Sequence, residues 1–185
     1  MGTLIQFEEK AVASLRRKLG AAESANADLI AFARGHSGAV AAIHHAVLAA
    51  MAADSLPALL DTVTREWPVL LGIDAVALAL DVDGKGFRAD GDGVTRMEAA
   101  IVARAMPGSE PVFIESVGQG HPLFGAVAAD LRGQALVGID AEHVRGLLLL
   151  GQYSPAPMGD RHGAQLLEFL GASLAAIIRR WTLNG

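Results

Sequence analysis

Few residue groupings in this sequence have types and spacing that could do chemistry. Asp81, Asp83, Asp90 and Asp92 crowd together with Gly84 and Gly91. That is oxygen-rich in the manner of a calcium loop, but the closing glutamate is missing and the spacing reads as solvated turns. Gly84-Lys85-Gly86 reads as a turn as well, since no GxxxxGK[ST] phosphate loop is present. His36 and His44 stand eight apart and can share a helix face, yet no acid or third histidine joins them at ligand spacing, so no metal site is expected. His121 sits between Gly120 and Pro122 in a loop, with the aromatic Phe124 close behind. It is the best candidate for a ligand contact, against the plainer reading of a structural histidine bonded to its neighbours. No GxSxG elbow, HExxH pair or dinucleotide-binding glycine pattern occurs. No catalytic residue is assigned, and no cofactor is named.

The elements that must position these residues are set by composition and periodicity. The 185 residues suit one domain with an appended element, and they suffice for a sizeable core. A net charge of −5, with no basic cluster beyond Arg16-Arg17-Lys18, argues against a nucleic-acid partner held by phosphate neutralisation. The absence of cysteine excludes disulfides and thiolate sites and fits a reducing compartment. Although 52% of residues are hydrophobic, no run approaches the ~18 to 20 apolar residues of a membrane span. The N-terminal residues lack the pattern of a signal peptide. The expectation is a cytoplasmic protein with no membrane partner.

Alternate steps of three and four from Ile5 pass through Val12, Leu15, Leu19, Asn26 and Leu29, then through Val40, Ile43, Val47 and Ala50. This is the a/d seam of a coiled coil, with Asn26 at an a position where a buried amide fixes register. Val12, Leu15, Leu19, Asn26 and Leu29 are therefore expected at a homodimer interface. Gly35 and Gly38 each weaken a helix by roughly 1 kcal/mol against alanine. The expectation is one helix to about Arg34, a break near Gly35 to Gly38, and a second helix to Ala53.

Beyond residue 53 helix and strand alternate. Asp54-Ser55 followed by Leu56-Pro57 reads as a helix start, capped by the carboxylate or the hydroxyl, with Leu56, Leu59, Leu60, Val63 and Trp67 on one face and Pro68 and Gly72 near its end. Strands are expected at Ile73 to Leu80, Phe87 to Ala89 and Pro111 to Val117, and in a hairpin of Gln134 to Ile139 with Val144 to Gln152. Arg96 to Ala105 reads as a helix with Met97, Ile101 and Ala105 on one face. Leu147 to Leu150 has no polar alternation and suits a central strand covered on both faces. Asp160 is positioned to cap a last helix whose stripe of Leu166, Leu167, Leu170, Leu174, Ile177, Ile178 and Trp181 needs a sheet to bury it.

Several stretches carry a resemblance: LRRKLGAAESANADLIAFAR, DSLPALLDTV, GIDAVALAL, HPLFG and GLLLLGQYSPAPMGDRHGAQLLEFLGASL. Together they resemble a proteobacterial family of domains of unknown function, number 484, whose members have a GAF-like domain behind a helical arm. The resemblance implies an α+β fold, with a GAF-like central antiparallel sheet flanked by helices and preceded by a long N-terminal, coiled-coil-like arm. It implies a division into an arm of residues 1–53 and a GAF-like domain of residues 54–185. It also implies a small-molecule pocket under loops, on the sheet face other than the one the helices pack against. By analogy with that fold, Arg132 and Tyr153 would join His121 and Phe124 there, as an anion-binding group and a hydroxyl. The expected role is a non-catalytic sensory or regulatory module, dimeric through its arm, binding a small ligand or a protein partner. The alternative is a structural adaptor with a filled pocket, acting through protein contacts.

Overall fold

The computed structural model describes residues 2–105, 110–155 and 161–182; the side chains of 2–15, 28, 29, 31–34, 36, 161, 162 and 182 lie outside the description. By its contacts the chain forms two compact units, Met1–Ala41 and Ala42–Gly185. Helix α1, Gly2–Ala52, runs through Gly35 and Gly38 as one element, so the expected break is absent. Two glycines among alanines and other good helix formers cost too little to interrupt a helix of that length. Leu19 and Asn26 are exposed, whereas the side chains of Val12, Leu15 and Leu29 lie outside the described residues.

In the second unit the seam residues Ile43 and Ala50 of α1 are buried in the core, Val47 is partly so, and Ala46 beside the seam joins them. Ser55 caps α2, Leu56–Asp61, accepting from the Ala58 amide at 3.3 Å. The expected single helix is divided there. A π-turn at Thr62–Glu66 separates α2 from α3, Trp67–Leu71. The turn lets Pro68, which has no amide hydrogen, enter as the opening of a fresh helix rather than as an interior break. Leu59, Val63 and Trp67 still share the buried face.

Six antiparallel strands follow: β1 Ala75–Val82, β2 Lys85–Asp90, β3 Gly93–Met97, β4 Val112–Ser116, β5 Gly133–Ala141 and β6 Val144–Gln152. Their order in the sheet is β3-β2-β1-β6-β5-β4. The leucine run of β6 is therefore central. Alternation sends Leu148 and Leu150 to one face and Leu147 and Leu149 to the other, all buried. Gly146 lies within this strand, and a Cβ there would strike the Ala79 backbone carbonyl on β1.

Strand β3 replaces the first residues of the expected helix at Arg96 to Ala105. Val94 and Thr95 are β-branched, and Gly86 and Phe87 on β2 offer pairing partners to Met97 and Arg96. Helix α4 covers Ala99–Ala105, and its buried residue is Val102, not Ile101. The segment Pro122–Ala129 is a 3-10 turn, and α5 is Arg161–Thr182. Leu170, Leu174, Ile177 and Ile178 of α5 are buried in one cluster with Leu148 and Leu150. Asp160, its expected cap, lies outside the described residues.

Candidate functional site

The sheet face opposite α5 is covered by α4 and the 3-10 turn. Its core holds Ala75, Ala77 and Ala79 of β1, Leu147 and Leu149 of β6, Val102, and Leu123, Phe124, Ala128 and Leu131. Alternation along β2 sends Phe87 and Ala89 towards the α5 face, and thus Gly86, Arg88 and Asp90 to this one.

Arg88 and Asp90 form an ion pair, with Nη2 2.9 Å from Oδ2; the Asp90 side chain is 10% exposed and that of Arg88 30%. The other Asp90 oxygen accepts from the Asp92 amide at 3.0 Å. The Nε of Arg88 is buried and has no hydrogen-bond acceptor among the described residues. Gly125 lies against the pair with φ 70°, and a Cβ on it would stand 3.1 Å from Asp90 Oδ2 and 3.2 Å from Arg88 Nη2. Next to Asp90 is a cavity of about 130 Å³, lined by Thr64, Asp74, Asp92, Phe124 and Val127 among others. Thr64 comes from the π-turn, where its hydroxyl donates to the Leu60 carbonyl at 2.8 Å.

The four residues expected to bind a ligand are placed as follows. Phe124 is buried and lines the cavity. His121 caps the 3-10 turn: its Nδ1 accepts from the Leu123 amide at 3.2 Å, which places the neutral ring's proton on Nε2. Its backbone amide donates to Gln134 Oε1 at 2.7 Å, and Gln134 Nε2 donates to Glu115 Oε1 at 2.6 Å. Burial pushes the pKa of His121 below 6.5, and the Glu115 charge opposes that shift. Arg132 is exposed and donates to the carbonyls of Ala129 and Leu131 at 2.8 Å each. Tyr153 is 49% exposed, and its amide donates to Asp74 Oδ2, which brings it to the cavity's rim. Phe124 thus lines the cavity and the Tyr153 amide is bonded to Asp74 of its lining, while the Arg132 side chain is engaged with backbone carbonyls.

Arg88 does not stand out in the sequence and Asp90 reads there only as a turn residue; Thr64 and Gln134 do not stand out either. The signal for the first two was available in KGFRAD, where Arg88 and Asp90 alternate with Phe87 and Ala89. Such alternation puts a cation and an anion on one face of a strand.

A family profile described as protein of unknown function, DUF484, matches residues 1–183. No curated protein matches the sequence at a significant level. Similar solved structures include the GAF domain of a phosphoenolpyruvate-protein phosphotransferase from Coxiella burnetii. It is 17% identical with a TM-score of 0.60, and the match covers 81% of this chain and 98% of that one. The GAF domain of the Acinetobacter phosphoenolpyruvate-protein phosphotransferase is 14% identical with a TM-score of 0.55, covering 78% and 94%. A free methionine-R-sulfoxide reductase from Neisseria meningitidis, solved with its substrate, is 13% identical with a TM-score of 0.57, covering 77% and 89%. These likenesses establish a GAF-type fold.

Proposed function

The chain belongs to the DUF484 family and has a GAF-type fold, and from that premise we propose that it is a non-catalytic sensory or regulatory module that binds a small ligand. The observation that carries this reading is the cavity of about 130 Å³ to which Thr64, Asp74, Asp90 and Asp92 bring polar groups. A purely structural layer would be filled by apolar side chains. Phe124 forms a wall of the site; His121, Arg132 and Tyr153 belong to its surroundings as secondary contacts.

The module acts as a homodimer through the arm of residues 1–53, with Val12, Leu15, Leu19, Asn26 and Leu29 in the seam, while residues 54–185 form the ligand-binding domain. The heptad spacing and the 60% exposure of Leu19 support this. Ile43 and Ala50 fall on the same seam but are committed to the domain core, so pairing ends before residue 43. The role requires neither nucleic acid nor membrane, and the cysteine-free sequence fits a cytoplasmic location. Recovery of the native protein mainly in washed membranes would overturn that location. No helix among the described residues is long and apolar enough to cross a membrane.

Native mass spectrometry of the protein purified from its own host tests the proposal. A dimer carrying one small molecule per protomer is expected. A ligand-free monomer under the same conditions would overturn it.

A second reading, an adaptor acting through a protein partner, is favoured by an apolar groove of about 500 Å³ on the other sheet face. Leu60, Leu80, Val82, Phe87 and Val94 line it. Under that reading Val94→Asp abolishes partner capture while any retained ligand stays bound.

A further inference from the structure

We propose that the apolar groove between α2 and strands β2 and β3 binds a single-chain anionic amphiphile, a molecule with one acyl-like tail and one negative head. The site is separate from the cavity beside Asp90, and its occupant is a small molecule rather than a partner protein.

Helix α5 packs over β4, β5 and β6. Further along the same sheet face, Leu56, Pro57 and Leu60 of α2 border a groove of about 500 Å³, a volume within the roughly 300–1,000 Å³ of small-molecule sites. Leu80 and Ala89 form its floor, at 6% and 4% exposure, whereas Val94 on β3 is 58% exposed. Leu56, Leu60, Val82 and Phe87 are half-buried. Apolar surface left wet in a concave site opposes folding, and an apolar tail laid along it removes that cost.

The groove has a charged end and an apolar end. Lys85, Phe87 and Ala89 follow one another on one face of β2, opposite Val82, Leu80 and Leu78 of β1. On β3, Arg96 stands opposite Phe87 and Val94 opposite Ala89, so each of these pairs shares that face as close neighbours. Lys85 lines the groove, and with Phe87 and Arg96 it also lines the hollow that continues from this end. Among the described residues neither Lys85 nor Arg96 forms an ion pair. The nearby carboxylates are Asp83, whose Oδ1 lies 3.3 Å from Nδ1 of His143, and Glu98, in the lining of the hollow. Two unpaired cations leading to aliphatic walls complement an anionic head with an apolar tail. A cationic amphiphile would set its head against Lys85 and Arg96. A flat bilayer does not enter a groove, and a net charge of −5 disfavours an anionic one.

Calorimetric titration of the full chain with hexanoate, octanoate and octylammonium tests this, with 1-octanol as the uncharged control. Methyl spectra of Val94, assigned by their loss in Val94→Ala, are recorded in parallel. Octanoate is expected to bind at least about tenfold more tightly than hexanoate, since each methylene laid on an apolar wall contributes about fourfold. It should also bind more tightly than octylammonium and move the Val94 methyl signals. Asp83, Lys85, Val94 and Arg96 are all exposed, so substitutions there leave the domain folded. Lys85→Met combined with Arg96→Gln should weaken octanoate about tenfold, at about threefold for each exposed charge, and leave octanol unchanged. Asp83→Asn should tighten octanoate, and Val94→Asp should abolish its binding.

Octylammonium binding as tightly as octanoate would overturn the proposal, as would equal affinities for hexanoate and octanoate. So would Val94 methyl signals that octanoate leaves unmoved. A host protein that the native chain captures and Val94→Asp loses, with no octanoate bound, would overturn it in favour of the adaptor. If octanoate fails to bind while Val94→Asp still retains a host ligand, the cavity beside Asp90 keeps its role and the groove loses this one. If octanoate binds as expected and no host ligand is retained, the groove stands and the cavity reading falls.

Discussion

The indole Nε1 of Trp67 donates a buried hydrogen bond of 2.9 Å to the backbone carbonyl of Ala46, latching the start of α3 to the last turns of α1. Both residues are fully buried, in a cluster with Ile43, Leu59 and Leu174. Trp67→Phe keeps most of the apolar contact but deletes the donor and part of the ring. It should destabilise the domain by about 1–3 kcal/mol. Urea unfolding measures this, and an unchanged midpoint would show that the latch adds nothing to the packing.

Gly125→Ala should be harmful although it adds a single methyl group. The residue sits at φ 70° and ψ −135°, and the new Cβ would lie against both members of the Arg88–Asp90 pair. Backbone strain of this kind costs about 1–3 kcal/mol, and for a chain of this size each kcal/mol lowers Tm by roughly 2–4 °C. A thermal melt equal to that of the native protein would mean that the 3-10 turn relaxes freely away from β2.

His121 makes stability depend on pH in a defined direction. Burial lowers its folded-state pKa below the ordinary 6.5, with Glu115 only partly opposing. Above 6.5 neither state is protonated and the residue has no effect. As pH falls below 6.5 the unfolded chain takes up a proton that the folded chain resists, so stability declines, and it levels off once pH passes the lowered folded value. The Nδ1 acceptor for the Leu123 amide is protected over the same range. His121→Asn should flatten this part of the stability profile, as denaturant melts at successive pH values would show. A profile unchanged by the substitution would assign the acid sensitivity to other groups.

The arm is tested by Leu15→Asp combined with Leu19→Asp. Each leucine buried in a seam contributes roughly 1.5–3 kcal/mol, so the double change should convert the proposed dimer to a monomer at micromolar concentration with the domain still folded. Light scattering reads the mass. A dimer that persists would move the interface elsewhere. The stripe of Leu170, Leu174 and Ile178 is not available, because those residues are buried in the core. Leu48, Met51 and Phe169, all exposed, would be examined next.

The sheet's centre was legible in the sequence because an unbroken Leu147 to Leu150 run tolerates no wet face, and the Ser55 cap was legible because its chemistry is local. Strand β3 was not. Val94 to Met97 follows turn residues and adjoins a helix-like alanine run, so its identity depends on pairing with β2, a tertiary event. The division of α2 from α3 was hidden for a similar reason, since the same apolar face runs through both. At the site, Phe124 was picked out as an aromatic beside a loop histidine. Arg88 is not legible, because the neighbouring Asp90 and Asp92 share with Asp81 and Asp83 the look of turn residues. Asp81 does serve its turn, accepting from the Gly84 amide at 2.9 Å, whereas Asp90 points into the fold.

The strand order also has a consequence for how the molecule is made. Strands β1, β2 and β3 form one meander and β4, β5 and β6 another, and the β1–β6 ladder joins them, pairing Ala75 with Gly151 and Val82 with Val144. Each meander is assembled from near neighbours, so the slow step in folding is the closure of this one long-range ladder. During synthesis β6 is the last strand to appear. Until it emerges β1 has a bare edge, and once it emerges its four leucines form a sticky segment until docking occurs. A chain terminated anywhere before residue 152 therefore lacks a complete sheet and should aggregate rather than persist as a smaller folded domain.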